Sequence, residues 1–167
     1  MLGLDTWEQA SYVVTVIGLP LAIGLFLFEQ RKQRANEEDE VYQLLSNAYN
    51  DFLKVVIDNA DLHLRSNAPT PDLTPEQRER MLAILDMLIS LLERAYLTAW
   101  SADMTPAQAR RWNSWEDFMR EWLRRDDFYL RLPELLRGED PQFADYLRAL
   151  AAQERGEPPS GRSTMAR

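Results

Sequence analysis

Residues 74–100 read TPEQRERMLAILDMLISLLERAYLTAW. The first four place Thr74 at an N-cap, Pro75 at N1 and Gln77 at N3, which is the pattern of a capping box. The apolar residues that follow cover well over half of a helix circumference, as in a helix that is contacted on several sides. Charges interrupt the segment, and an uncharged stretch such as residues 87–92 has only six residues, too few to cross a bilayer. We predict that this segment is the central helix of the fold.

Sequence signals on both sides of this segment predict more helices. Thr105-Pro106 and Asp140-Pro141 repeat the cap-plus-proline start, and Pro133 is expected to interrupt or begin a short helical segment. Upstream, an amphipathic helix is expected to begin near Val41 and to end near residues 58–62. Sustained period-two alternation is absent from the sequence, so strands are not expected. The predicted fold class is all-α, with one N-terminal transmembrane helix followed by a small cytosolic bundle of four to five helices.

Two apolar stripes are candidate partner surfaces. The first lies on the upstream helix and could face another copy of the chain. The second lies on the helix that begins after Thr105, and its tryptophans indicate either a partner-binding groove or packing on the central helix. The candidate residues are Val41, Leu44, Leu45, Ala48 and Phe52 in the first stripe, and Trp112, Trp115 and Trp122 in the second.

Residues 10–28, ASYVVTVIGLPLAIGLFLF, contain no charge and would span roughly 28 Å as a helix. Acidic residues precede the run, whereas the basic Arg31, Lys32 and Arg34 follow it. The positive-inside rule therefore predicts an N-terminus outside and a C-terminal domain in the cytosol. Trp7 and Tyr12 are expected at the outer interface, where amphipathic rings are favoured.

Two other interpretations of this run are open, a cleaved signal peptide and a buried helix of a soluble protein. A signal peptide needs a basic n-region and a small-x-small cleavage site, and the sequence has neither. Pro20 is expected to kink the span, while Gly18 and Gly24 could contribute to a small-residue packing face. The predicted organisation is an outer segment 1–9, a span 10–28, a cytosolic bundle 29–152 and a disordered tail 153–167.

The composition argues against several classes of function. The net charge is −8, opposite to the basic surface that nucleic-acid binders usually show. The chain has no cysteine and a single histidine, His63, and it lacks the common nucleotide-binding, hydrolase and zinc-protease motifs. We therefore predict no catalytic residues, no metal, no cofactor, no nucleic-acid partner and no small-molecule substrate.

The segments Tyr49-Asn50-Asp51-Phe52-Leu53, Asp58-Asn59-Ala60-Asp61-Leu62 and Trp115-Glu116-Asp117-Phe118, with Trp122, Phe128 and Phe143 after them, carry a resemblance. They resemble a group of bacterial proteins of unknown activity that have one N-terminal span and a helical cytosolic domain. The resemblance would cover most of the chain. It implies the same topology and no particular activity.

Three functional hypotheses follow. The first is a membrane-anchored interaction module, a scaffold or regulatory subunit, that binds itself or another membrane protein in the cytoplasmic membrane. The second is an oligomeric membrane effector or channel-like stress or defence component, although the span offers only Ser11 and Thr15 as polar side chains to line a pore. The third is an enzyme of unknown type that acts at the membrane.

Overall fold

The computed structural model describes residues 4–156, and for residues 4–24, 31 and 34–36 it describes the backbone alone. The described chain folds into five α-helices and one short 3-10 turn, and contains no strand, so the prediction of an all-α fold is confirmed. The elements in chain order are α1 (Leu4–Asp58), the 3-10 turn (Ala60–Leu62), α2 (Pro75–Ala99), α3 (Pro106–Leu123), α4 (Asp126–Leu135) and α5 (Pro141–Arg155).

The chain divides into two compact units, Met1–Val41 and Tyr42–Arg167, with the boundary inside α1. In the part of the chain whose side chains the structure describes, no helix holds a stretch long and apolar enough to cross a membrane. The predicted span, residues 10–28, lies outside that part except for its last four residues.

Helix α2 packs against α3, α4 and α5, and α3 likewise packs against α2, α4 and α5. The side chains of α2 at Leu85, Leu88, Leu92 and Ala95 are fully buried. Burying a leucine side chain contributes roughly 1.5–3 kcal/mol, so this row is a main source of stability for the bundle. The prediction of a helix at residues 74–100 that is contacted on several sides is therefore confirmed, whereas α3 shares the central position that was predicted for α2 alone.

The helix starts follow the sequence signals. Thr74 and Thr105 each form a complete capping box: the threonine hydroxyl accepts a hydrogen bond from the backbone of Gln77 or Gln108, whose side chain accepts one from the threonine amide. At α5, one carboxylate oxygen of Asp140 accepts from the amides of Gln142 and Phe143, at 2.9 and 3.0 Å. These caps satisfy backbone donors that a helix end otherwise leaves without partners.

Two expectations about helix ends were wrong. Pro133 does not interrupt α4 but lies inside it, and the helix ends only two residues later, at Leu135. A proline this close to the end removes one backbone hydrogen bond without breaking a long helix.

The disordered tail was predicted from residue 153, but α5 continues to Arg155 and ends at Gly156, whose φ of 67° is the left-handed C-cap that glycine favours. Salt bridges hold this last turn, since Glu154 pairs with Arg124 at 2.6 Å and Arg155 with Asp126 at 2.6 Å. Residues 157–167 lie outside the described residues.

Candidate functional site

The three candidate tryptophans lie in the core of the bundle. Trp112, Trp115 and Trp122 are only 2–3% exposed. Trp115 meets the ring of Tyr49 edge-on at 5.8 Å, and Trp122 meets Phe52 at 5.7 Å, so the stripe joins α3 to α1. The rings therefore lie in the core, as the second interpretation of this stripe expects. They pack on α1 as well as near α2.

The first stripe divides between the core and the surface. Leu45 and Phe52 are buried, Val41 and Ala48 are half-buried, and the side chain of Leu44 is 61% exposed. A surface for another molecule can therefore use only the outer edge of this stripe.

Of this stripe, Ala48 and Phe52 line a groove between α1 and α2, which we call the α1–α2 groove. Its volume is about 700 Å³. Residues 48–55 of α1 and residues 83–94 of α2 line it. Arg80, near the start of α2, bonds to Asn59, just after the end of α1, so the two helices run in opposite directions beside the groove. The lining residues are Ala48, Asp51, Phe52 and Val55 from α1, and Ala83, Asp86, Met87, Ser90, Leu91 and Arg94 from α2.

The floor of the groove is apolar and its edges are charged. Met87 is 49% exposed although its neighbours Leu88 and Ile89 are buried. On the α1 edge, Lys54 donates to Asp51 at 2.7 Å. On the α2 edge, neither Asp86 nor Arg94 has an ion-pair partner among the described residues. An apolar surface bordered by charges of both signs is typical of an interface with another helix.

A second exposed feature is an apolar collar, Leu25–Phe28, at the end of the predicted span. The exposed fractions of these four side chains are 57, 63, 48 and 66%. Consecutive residues are about 100° apart around a helix, so the four present apolar surface in every direction. Polar side chains follow at once, and Glu29, Gln30 and Lys32 are exposed. The structure describes only the backbone of Trp7, Tyr12, Gly18, Pro20, Gly24, Arg31 and Arg34.

One structurally important residue was missed by the sequence argument: Arg125, which is 1% exposed. Its Nη1 donates to the carbonyl oxygens of His63 and Ser66, at 2.8 and 2.9 Å. Its Nη2 donates to Thr70 at 2.9 Å and to Asp127 at 2.7 Å. A buried guanidinium is tolerated only when it is paired in this way. Because other arginines surround it in the sequence, no local pattern marks it as the buried one.

A chain of polar contacts crosses from α3 to α5. Trp112 donates to the hydroxyl of Tyr146 at 3.0 Å, and Tyr146 donates to Glu116 at 2.6 Å. Arg120 donates to the other oxygen of Glu116 at 2.6 Å. Burial, reinforced by the Glu116 carboxylate, raises the pKa of Tyr146 well above its ordinary value. Burial acts to raise the pKa of Glu116, but the bonds from Tyr146 and Arg120 outweigh it and lower the pKa. The chain of contacts holds two helices together and leaves no free base.

An acidic group lies near the start of α5. Burial, a hydrogen bond with Glu93 and the nearby charges of Glu93 and Asp86 raise the pKa of Glu139 to about 7. Glu93 also accepts a hydrogen bond from the backbone amide of Asp140. Glu139 therefore gains or loses its proton near neutral pH, and the charge of this corner depends on pH.

The described residues contain no cluster of three or more potential metal ligands. His63 has an exposed side chain, and its backbone is left-handed at φ 46°, where the 3-10 turn ends. Comparison of the chain with protein family models, curated proteins and solved structures gives no match. The groove and the collar are therefore the two features of the described residues that indicate a function.

Proposed function

We propose that this chain is a non-enzymatic interaction module, a scaffold or regulatory subunit, anchored in the cytoplasmic membrane by one span at residues 10–28. In this proposal the N-terminus is outside, the bundle is in the cytosol, and the α1–α2 groove binds a partner or another copy. The observation that carries the proposal is the apolar collar, Leu25–Phe28.

The collar supports an anchor because water is a poor solvent for it. Each exposed apolar side chain costs on the order of 1–3 kcal/mol relative to an apolar environment. A helix with one apolar face can cover that face against a neighbour, whereas the collar has no polar face. Bilayer hydrocarbon surrounds a helix on all sides and therefore suits it.

The groove supports a binding role because it is wide, apolar at its floor and charged at its edges. An anchor adds to such a role, since it confines the module and its partner to one surface and raises their effective concentration without any new contact.

Membrane fractionation of the full chain tests the anchor. The protein is expected to remain in the membrane pellet after alkaline carbonate extraction, and a variant lacking residues 2–28 is expected in the supernatant. A matched variant that keeps the run but carries Ala149→Arg on the exposed face of α5 should behave as the full chain does. Recovery of the full chain in the soluble fraction would refute the proposal.

A further inference from the structure

We infer that a water-binding site lies between helix α3 and the loop that follows the 3-10 turn, and that one buried water accepts a hydrogen bond there from Nε1 of Trp122. The site is independent of the proposed anchor, because every residue that forms it belongs to the second compact unit. The bound water is a structural part of the fold, like the hydrogen bonds that Arg125 makes to the same loop.

The site is a small cavity with a volume of about 10 Å³. Residues 64–67 of the loop line it together with Glu121, Trp122 and Arg125. A site for one water needs roughly 10–15 Å³, so this cavity has room for a single water and for no larger ligand. Every lining residue except Leu64 carries a polar side-chain atom. Cavities with polar walls hold water, whereas those that stay empty are apolar.

Trp122 supplies a donor that needs an acceptor. The residue is 2% exposed, and its buried Nε1 has no hydrogen-bond partner in the described part of the chain. An indole N–H can only donate, and a buried donor without a partner costs free energy. Trp112, on the same helix, shows the usual solution, since its Nε1 donates to the hydroxyl of Tyr146 at 3.0 Å. A water in the adjoining cavity gives Trp122 the acceptor that the side chains do not provide.

Polar groups from three elements converge beside this cavity, near the hydroxyl of Tyr49 on α1. Burial raises the pKa of Tyr49, whereas its neighbours Trp122 and Arg65 act to lower it. Glu121 acts on the same hydroxyl, and it pairs with Arg65 at 2.6 Å. The hydroxyl of Tyr49 therefore lies close to Trp122, although the indole is not placed to bond to it directly. A water between them can accept from the indole and donate to Tyr49 and Glu121, which gives it the usual three partners.

Removing the N–H while keeping the size of the ring tests whether this donor is satisfied. Trp122 of the full chain is replaced by benzothienylalanine, which has sulfur in place of the indole N–H, and urea unfolding is followed in a mild non-ionic detergent. The urea midpoint is expected to fall by roughly 0.3–1 M, as it should for the same replacement at Trp112. A rise in the midpoint would overturn the inference, because removing an unsatisfied donor stabilises the folded chain.

Nuclear magnetic resonance tests whether the acceptor is water. In the isotope-labelled full chain, the indole signal of Trp122 is the one of five that the benzothienylalanine replacement removes. A cross-peak between this proton and water is expected, with the opposite signs of NOE and ROE that a long-lived bound water gives. The hydroxyl proton of Tyr49 exchanges with water and could relay the same signal, so the spectrum is also recorded for Tyr49→Phe. Persistence of the cross-peak in that variant supports the site, and its absence would overturn the inference.

Discussion

At the scale of single residues, Arg125 connects parts of the fold that are far apart in the sequence, although no sequence motif marks it. It joins the loop of residues 63–70 to the start of α4 through three hydrogen bonds, while a fourth bond goes to Asp127 in α4, whose other carboxylate oxygen lies 2.6 Å from its Nε. The loop has few apolar contacts of its own, since most of residues 65–72 are exposed. Arg125 therefore contributes strongly to the position of the loop, together with the buried side chain of Leu64.

Replacing Arg125 by alanine should destabilise the bundle by about 3–5 kcal/mol, because it leaves a buried carboxylate and two carbonyl oxygens without partners. Arg125→Lys should also destabilise it, since an ammonium group cannot replace the planar fork. Urea unfolding of the full chain measures both. Arg65→Ala, which removes an exposed ion pair with Glu121, is the control and should cost no more than about 1 kcal/mol. A loss below that value for Arg125→Ala would contradict the assignment.

Glu139 should make the stability of the bundle depend on pH. Its pKa is about 7 in the folded chain and near 4.5 when unfolded, so between these values only the folded state holds the proton. The stability that the bundle gains from this protonation is fully present below pH 4.5, is lost as the pH rises through 7, and is absent above that. Glu139→Gln should therefore raise the Tm at pH 8 by about 2–4 °C and have less effect at pH 5.

Thermal unfolding at several pH values measures this difference, and Glu134→Gln, at an exposed position of α4, is the control. Equal shifts of Tm at pH 5 and pH 8 would show that Glu139 does not titrate in this range.

At the scale of helices, local signals decide where each one begins, and tertiary contacts decide where some of them end. The starts of α2, α3 and α5 coincide with the predicted caps because a cap needs only a few adjacent residues. The start of α4 carries no such cap, and its N-cap residue is the buried Arg125. The last turn of α5 depends on Arg120, Arg124 and Asp126, which are about 30 residues away in the sequence.

Thr105→Ala should destabilise the bundle by about 1 kcal/mol, since it leaves the amide of Gln108 without its hydroxyl partner at 3.3 Å. Thr98→Ala is the matched control: its hydroxyl bonds to the carbonyl of Arg94 inside α2, and its loss should cost little. Denaturant unfolding of both variants gives the comparison. If the two changes cost the same, the capping box at α3 contributes nothing beyond the removal of a hydroxyl.

At the scale of the whole molecule, the sequence predicted the all-α class and the central helix, because hydrophobic periodicity and capping are local properties. It could not predict which tryptophans, leucines or arginines are buried, because burial depends on partners far along the chain. Leu44 and Leu45 are neighbours in one predicted stripe, yet one is 61% exposed and the other 4%. The groove was not predicted either, because its two walls lie on different helices.

The proposed anchor makes orientation in the membrane a further property of the whole molecule. Reversing the charges at Arg31, Lys32 and Arg34 to glutamate should remove the basic flank and give a population with the opposite topology. Protease protection of a C-terminal tag in inverted and right-side-out vesicles measures the fraction. The triple reversal of Arg78, Arg110 and Arg137, which are exposed and far from the run in the sequence, should leave the orientation unchanged. An unaltered orientation in the first variant would refute the role of the basic flank.

The contacts between α1 and α3 join residues that the ribosome makes several seconds apart. Tyr49 leaves the ribosome 66 residues before Trp115, and Phe52 leaves it 70 residues before Trp122, so their ring partners do not yet exist. At about 5–20 residues per second, the interval is roughly 3–14 s. During that time the rings of Tyr49 and Phe52 lack the tryptophans that cover them in the folded bundle, and the nascent chain presents them as exposed apolar surface.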